Sequence, residues 1–193
     1  MWPAEQIPIE GGLLVRARAA HAKALVAVLR ANMGHLSPWM PWATPSNATP
    51  EVQSARLVQV ELDWVNGTDF DYLIVTGGGS QVAPDTIAGG LSLMTRQGAG
   101  VLEIGYWLSA DHTGRGFVTN AARALTTAGL ALPGIERTEI HCDAGNVPSA
   151  AIPKRLGYTL DRVVDREPVA SGDTGREMVW TMQKAHWSVG VGS

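Results

Sequence analysis

The segment Leu102-Glu103-Ile104-Gly105-Tyr106-Trp107-Leu108, followed after three residues by His112-Thr113-Gly114-Arg115-Gly116-Phe117-Val118-Thr119, decides how the chain is read. Its first half is apolar and rich in aromatic and branched residues, as a buried strand is. Two glycines follow, and Phe117, Ala121, Ala124, Leu125 and Ala128 then recur at helical spacing. A strand that runs through a Gly-x-Gly turn into a helix brings free backbone N–H groups and the positive end of a helix dipole to one place. Glycine lets the main chain approach an anion closely and take positive φ, and Arg115 adds local positive charge. Such a turn can cradle a phosphate, and by spacing alone it can equally be a plain connection.

Upstream, residues 70–75 and then Ile87, Gly89, Leu91 and Leu93 read as two more strands, separated by Gly-rich turns at Gly77-Gly78-Gly79 and Gly98-Ala99-Gly100. An antiparallel meander follows from that spacing. The Gly77-Gly78-Gly79 run lacks a following amphipathic helix, so it reads as a hairpin turn and not a phosphate loop. Before the meander, a strand at 13–17 leads into a helix marked by Ala20, Ala24, Leu25, Val28 and Ala31. A Pro- and Trp-rich connector, Ser37-Pro38-Trp39-Met40-Pro41-Trp42, precedes a second helix that opens at Thr49-Pro50-Glu51, gathers Val52, Ala55, Val58, Leu62 and Val65 on one side, and closes at Asn66-Gly67.

Downstream, Thr138, Ile140 and Cys142 alternate with Arg137, Glu139 and His141 as a strand, and a short helix follows over about 146–156. Two last strands are expected at 158–164 and 176–182, joined by the polar turn Ser171-Gly172-Asp173-Thr174-Gly175, with a loose tail from His186. The expected fold is mixed α/β of the α+β type, one domain over residues 1–185 plus a tail at 186–193, with about seven mostly antiparallel strands and about four flanking helices.

Composition narrows the function. With 193 residues, 45% hydrophobic and 17% charged, the chain fits one soluble globular core. A net charge of -3 argues against nucleic acid as a partner, so any anion site is local. No apolar run is long enough to span a bilayer, and the N-terminal residues do not read as a leader, so no membrane partner is expected and the expected compartment is the cytoplasm. Cys142, alone, reads as a buried inert thiol, and the five histidines include no i, i+4 pair, so no metal is expected.

The quoted stretch resembles the acyl-CoA signature of the GNAT superfamily of acyltransferases, and more narrowly its RimJ/RimL branch. Two other segments support the likeness: His35-Leu36-Ser37-Pro38-Trp39-Met40-Pro41-Trp42 upstream, and Asn146-Val147-Pro148-Ser149 leading to Arg155-Leu156-Gly157-Tyr158 downstream. The resemblance runs from about residue 13 to 182 and implies a GNAT-like domain. It implies that acetyl-CoA or another acyl-CoA is the donor, its pyrophosphate on the amides of Thr113, Gly114, Arg115, Gly116, Phe117, Val118 and Thr119. Its pantetheine arm would pair with the strand carrying Tyr106, Trp107 and Leu108. The branch usually has Gln or Arg where Thr113 stands, and Gly or Ala where Val118 stands.

The same likeness assigns Asn146 to the pantetheine arm, Ser149 to protonation of the departing thiolate, Arg155 to the adenine-end phosphates, and Trp39, Trp42 and His35 to the acceptor pocket. Glu103 is a candidate base, directly or through water. Each has a plainer reading: Asn146 as a helix cap, Ser149 as a first-turn residue, the tryptophans as packing, Arg155 and Glu103 as solvated side chains. Pro153, inside the short helix, removes the bond its N–H would have made to the carbonyl of Ser149, leaving that carbonyl free.

The implied activity is transfer of an acyl group to a primary amine. An α-amine needs about 1.4 kcal/mol to lose its proton at pH 7 and a lysine about 4.6, so a weak base suits a protein or peptide N-terminus. The alternatives are a small amine such as a polyamine, amino acid or antibiotic, a succinyl donor, or a non-catalytic acyl-CoA-binding module. A dinucleotide-binding enzyme is disfavoured, because the Gly-x-Gly follows a meander and does not open a βαβ unit. Homo-oligomerisation is left open.

Overall fold

The computed structural model describes residues 2–77, 82, 83 and 86–188. Gly78 and Gly79 of the expected hairpin turn, and residues 189–193 of the expected tail, lie outside the described residues.

Among the described residues, eight strands form one sheet in the order β1-β2-β3-β4-β5-β6-β8-β7. They are β1 (Gln6–Ile9), β2 (Gly12–Arg16), β3 (Asp69–Thr76), β4 (Ile87–Met94), β5 (Val101–Leu108), β6 (Arg137–Asp143), β7 (Thr159–Asp165) and β8 (Arg176–Gln183). All neighbours are antiparallel except β5 and β6, which run parallel. The eighth strand is β1, where Gln6 and Pro8 alternate with Ile7 and Ile9 and the pairing partner is β2.

The parallel pair fixes the shape of the molecule. β5 and β6 are in register only at Val101↔Arg137, Leu102↔Thr138 and Glu103↔Glu139. Beyond that point β5 stays with β4 as far as Leu108, while β6 stays with β8 as far as Asp143. The two strands therefore part, and the β6-facing edge of residues 104–108 has no strand beside it among the described residues.

Among the described residues five α-helices flank the sheet: α1 (Ala22–Ala31), α2 (Met33–Leu36), α3 (Pro50–Asn66), α4 (Phe117–Leu130) and α5 (Val147–Arg155). α2 is a single turn that immediately precedes the expected Pro- and Trp-rich connector. α4 and α5 share a core cluster with Leu93, Ile104 and Ile140, while α1 and α3 bury Leu25, Leu29, Leu57 and Val60 with Val15, Leu73 and Val75. Burying each such side chain is worth about 1.5–3 kcal/mol. α3 starts as its sequence predicts, with Thr49 accepting from Val52 N at 3.3 Å and Pro50 in the first turn, and it stops at Gly67 with φ 72°.

One face of α3 differs from expectation. Gln53, Leu57, Val60 and Trp64 point inward, whereas Val52, Val58, Leu62 and Val65, the side gathered from the sequence, are exposed. At the C-terminus, Lys184–His186 form a short 3-10 turn, and Trp187 Nε1 donates to Thr127 Oγ1 at 3.1 Å.

Candidate active site

The split between β5 and β6 is lined from both sides by helix N-termini. α4 begins at the end of β5, and α5 begins at the end of β6. Gly114 (φ 73°) and Gly116 (φ 79°) both take the left-handed conformation that favours glycine, and they turn the chain into α4 within a few residues. No side chain caps α4, so its first N–H groups point at whatever enters the turn. A Cβ built on Gly114 would meet no atom within 4 Å, and one on Gly116 only Asn120 Nδ2 at 3.8 Å, so the concave side is open. Uncapped donors, two left-handed glycines and open space fit a diphosphate.

The loop before α4 is pinned from several directions. Ala110 N donates to Asn32 Oδ1 at 2.8 Å, Thr113 Oγ1 donates to Ala110 O at 2.8 Å, and Ser109 Oγ lies 2.6 Å from His112 Nδ1. The His112 ring packs edge-on against Phe117. Burial lowers the proton affinity of His112, Arg115 lowers it further, and Asp111 opposes the shift.

Two cavities open from the split. One, about 510 Å³, is lined by Thr113, Gly114, Gly116, Phe117 and Val118 at one end, by Leu108 and Arg155, and by His35 and Trp39. The other, about 810 Å³, lies on the opposite side and is lined by Trp39, Trp42, Glu103, His141, Glu177 and Arg166 among others. They share Trp39, Met40, Tyr106, Trp107, Asn146 and Ser149. Tyr106 and Ser149 thus stand where the two cavities meet.

At this junction the carbonyl left free by Pro153 has a partner. Tyr106 OH donates to Ser149 O at 3.0 Å, and Ser149 Oγ donates to Tyr106 OH at 3.2 Å. Burial holds the phenol of Tyr106 far above its ordinary proton affinity, partly offset by Ser149, so it stays neutral. Asn146 Oδ1 accepts from Ser149 N at 3.2 Å, a cap that leaves its amide N–H₂ for a second partner.

The larger cavity has a charged floor. Glu103 and Glu139, both nearly fully buried, form the last paired position before the strands part. Glu103 receives Arg96 on both oxygens, through Nε at 2.8 Å and through Nη2, and Gln97 Nε2 at 2.5 Å. Burial pushes its proton affinity up, but these bonds, with Arg96 and, when it is protonated, His141 adding attraction, outweigh burial and hold it below the ordinary value. Glu103 was expected as a candidate base. With both oxygens taken it is a poor direct proton acceptor, and its evident work is to hold Arg96.

The walls come from distant parts of the chain. Trp42 packs edge-on to Trp107, with ring centroids 6.3 Å apart. The segment between β7 and β8 closes the far side: Arg166 Nη1 donates to Asp173 Oδ2 at 2.5 Å, and Gly172 N donates to Pro38 O at 2.8 Å, tying it to the Trp-rich connector.

Trp39, Trp42, Tyr106, Asn146 and Ser149 are therefore brought together. His35, expected beside Trp39 and Trp42, lies on the smaller cavity and not on the larger one that both tryptophans line. Arg115 and Thr119 belong to the cradle turn but do not line either cavity. Sequence reading missed His141, Glu177, Arg96, Arg166 and Asp173. The available signal was slight: polar residues alternating on β6, and one acidic residue, Glu177, at the start of β8. Cys142 is buried, and burial pushes its thiol up to about 11, against hydrogen bonding with Ser149 and Trp180. No group of acidic, His and Cys side chains among the described residues could hold a metal ion, and no helix there is long and apolar enough to cross a membrane.

A split mixed sheet, an uncapped helix N-terminus aimed at the split, and two cavities meeting at one hydroxyl pair define a fold built to bring two substrates together. The chain belongs to the acetyltransferase (GNAT) domain family, whose profile matches residues 13–159. A Bacillus subtilis (strain 168) protein, YdaF, provisionally named a ribosomal N-acetyltransferase, is 38% identical over 56 residues, which are 29% of this chain and 31% of that protein. The match thus spans less than a third of that relative. Among solved structures, the RimL ribosomal L7/L12 alpha-N-protein acetyltransferase, in complex with coenzyme A bonded to a cysteine, superposes with a TM-score of 0.79. The identity is 24%, covering 93% of this chain and 98% of that one. Mycobacterium smegmatis RimJ, in complex with CoA-disulfide, has a TM-score of 0.79 at 20% identity, covering 94% and 88%. Both share the fold, and both belong to the RimJ/RimL branch that the sequence motifs resemble.

Proposed function

We propose that this protein transfers an acetyl group from acetyl-CoA to a primary amine, with a protein or peptide N-terminal α-amine as the acceptor. The observation that carries the proposal is the Tyr106–Ser149 pair at the meeting point of a phosphate-ready cavity and a charged one. On this reading the smaller cavity takes the donor. The amides opening α4 hold its diphosphate, the unpaired edge of β5 and the Asn146 amide hold its pantetheine arm, and Arg155 lies toward the adenine-end phosphates. The bound thioester supplies the activated acyl carbon.

Ser149 is placed to give its proton to the departing sulfur, its hydroxyl oriented by the neutral phenol of Tyr106. The acceptor enters from the larger cavity, past Trp39 and Trp42. A cavity of about 810 Å³ with a charged floor suits an extended, polar chain end better than a small apolar amine. The activity named for the RimL structure, on the N-terminus of a ribosomal protein, supports the same acceptor class here.

The test is CoA release from acetyl-CoA with a panel of N-terminal peptides, polyamines and free amino acids, with the modified atom located by mass spectrometry. Acetylated peptide α-amines are expected. CoA binding without turnover on any amine would instead mark a non-catalytic acyl-CoA-binding module, and turnover confined to small amines would move the acceptor class.

A further inference from the structure

We infer that His141 is the catalytic proton acceptor of this site, taking a proton at Nδ1 from an acceptor ammonium held jointly with Glu177; the inference rests on the transfer reading above. His141 lies on β6 and lines the same cavity as Ser149 and Tyr106. Its Nε2 is 2.8 Å from Glu139 Oε2. Glu139 is 1% exposed, and its other oxygen accepts from Arg137 Nε at 2.9 Å. A carboxylate only accepts, so Nε2 carries a hydrogen, and in the neutral ring Nδ1 then has its lone pair.

That lone pair faces a second acceptor. Glu177 Oε2 lies 3.5 Å from Nδ1, beyond a good N–H···O bond. Two acceptors side by side, with no protein donor between them among the described residues, are satisfied by one nitrogen bearing several hydrogens. A nitrogen about 2.8 Å from each can bond to both. Other carboxylates nearby are less available: Glu103 is taken by Arg96 and Gln97, Asp143 by Gly145 N, Thr174 N and Thr174 Oγ1, and Asp173 by Arg166. Glu177 shares only the flank of Arg166, whose Nε is 3.3 Å away and makes no hydrogen bond of its own. The groups facing His141 are thus Glu139 on its own strand, Glu177 on β8 and Glu103 on β5.

The protons balance. The ammonium gives one proton to Nδ1, and the resulting imidazolium lies between Glu139 and Glu177. The freed nitrogen bonds to the acyl carbon as the C–S bond breaks, Ser149 gives its hydroxyl proton to sulfur, and the second proton leaving nitrogen restores Ser149. The proton on His141 passes to solvent, so each turnover releases one.

Two measurements decide the matter. Side-chain nitrogen NMR of the wild-type protein is expected to show His141 as the Nε2–H tautomer with a bare Nδ1, whose signal moves when a peptide amine is added with CoA present. A protonated Nδ1 or an unmoved signal overturns the inference even if no amine is ever turned over, so its failure is separable from failure of the transfer reading. His141→Gln keeps a donor for Glu139 and is expected to lower kcat/KM at neutral pH about 100-fold or more, with CoA affinity unchanged and a rate that climbs as rising pH frees the amine. A rate within about threefold of wild type, with the wild-type pH dependence, sinks the idea. Should that variant fold poorly, Glu177→Gln, on a partly exposed side chain, is expected to raise KM for the peptide more than it lowers kcat, and an unchanged KM overturns the shared ammonium site.

Discussion

Tyr106 OH donates to the carbonyl of Ser149 across the cleft between β5 and α5, at 3.0 Å, and that carbonyl is free because Pro153 has no N–H to offer it. A proline inside a helix ordinarily costs about 3 kcal/mol. Here the gap it leaves is filled by a side chain from β5, which borders both cavities. The same phenol accepts from Ser149 Oγ, so backbone and side chain of one residue are held by one hydroxyl.

The coupling is measurable. Tyr106→Phe leaves the Ser149 carbonyl without its donor and is expected to cost about 1–3 kcal/mol in the wild-type background. With Pro153→Ala, residue 153 regains an N–H that can bond to that carbonyl, and the cost of Tyr106→Phe should fall by about 1 kcal/mol in a double-mutant cycle by denaturant unfolding. Additive effects would mean that Pro153 and Tyr106 are unconnected. Turnover should fall in Tyr106→Phe, because it removes the partner of the Ser149 hydroxyl.

The cradle makes a separate prediction. Gly116 sits at φ 79°, where an alanine costs about 1–2 kcal/mol, yet its Cβ would meet nothing closer than 3.8 Å. Gly116→Ala should therefore fold with slightly reduced stability while binding CoA at least tenfold more weakly by calorimetry, since the methyl group occupies space meant for the anion. Gly34→Ala is the control: it has open space around it, no positive φ, and helical neighbours, and should leave CoA affinity unchanged.

Which parts of the molecule could be read in the sequence depends on the range of the forces involved. The β5 to α4 stretch was legible because strand period, glycine turn and helix period are all local. β1 was not, because four residues with Pro8 among them have too little alternation to stand out, and the strand exists only through pairing with β2. α3 misleads because its exposed side, with Val52, Val58, Leu62 and Val65, is as apolar as its buried one, which includes Gln53. Gln53 can go inside because its amide donates to Asn47 O at 2.8 Å and accepts from Arg56 at 3.1 Å. The floor of the larger cavity was the least legible, because Arg96, Glu103, His141 and Glu177 meet only after four strands are in register.

The reversed face of α3 can be checked by substitution. Leu57→Ala should cost about 2–5 kcal/mol, the usual penalty for emptying a buried leucine site, while Leu62→Gln should change stability by no more than about 0.5 kcal/mol. Thermal or urea unfolding of the two variants separates them. Equal penalties would put the exposed stripe in contact with something, such as a second copy of the chain.

Glu103 gives the protein a pH signature whose sign can be worked out. Burial raises its folded-state proton affinity, but Arg96 and Gln97, joined by His141 when that ring is protonated, outweigh burial and depress it below the ordinary value of 4.5. A depressed carboxylate contributes stability that is present above its unfolded value and is lost as pH falls through the folded one. Replacing the partner by Arg96→Met leaves burial with less opposition, so the contribution should shrink or reverse. The stability difference between wild type and Arg96→Met should accordingly widen as pH rises from about 3 to about 6. Its plateau should be only about 1–2 kcal/mol, because the Arg96 side chain is 61% exposed and water screens part of the attraction. In a Glu103→Gln background the widening should vanish. A difference that stays flat with pH would mean that Arg96 acts through packing alone and that Glu103 keeps an ordinary proton affinity, which would restore it as a candidate base.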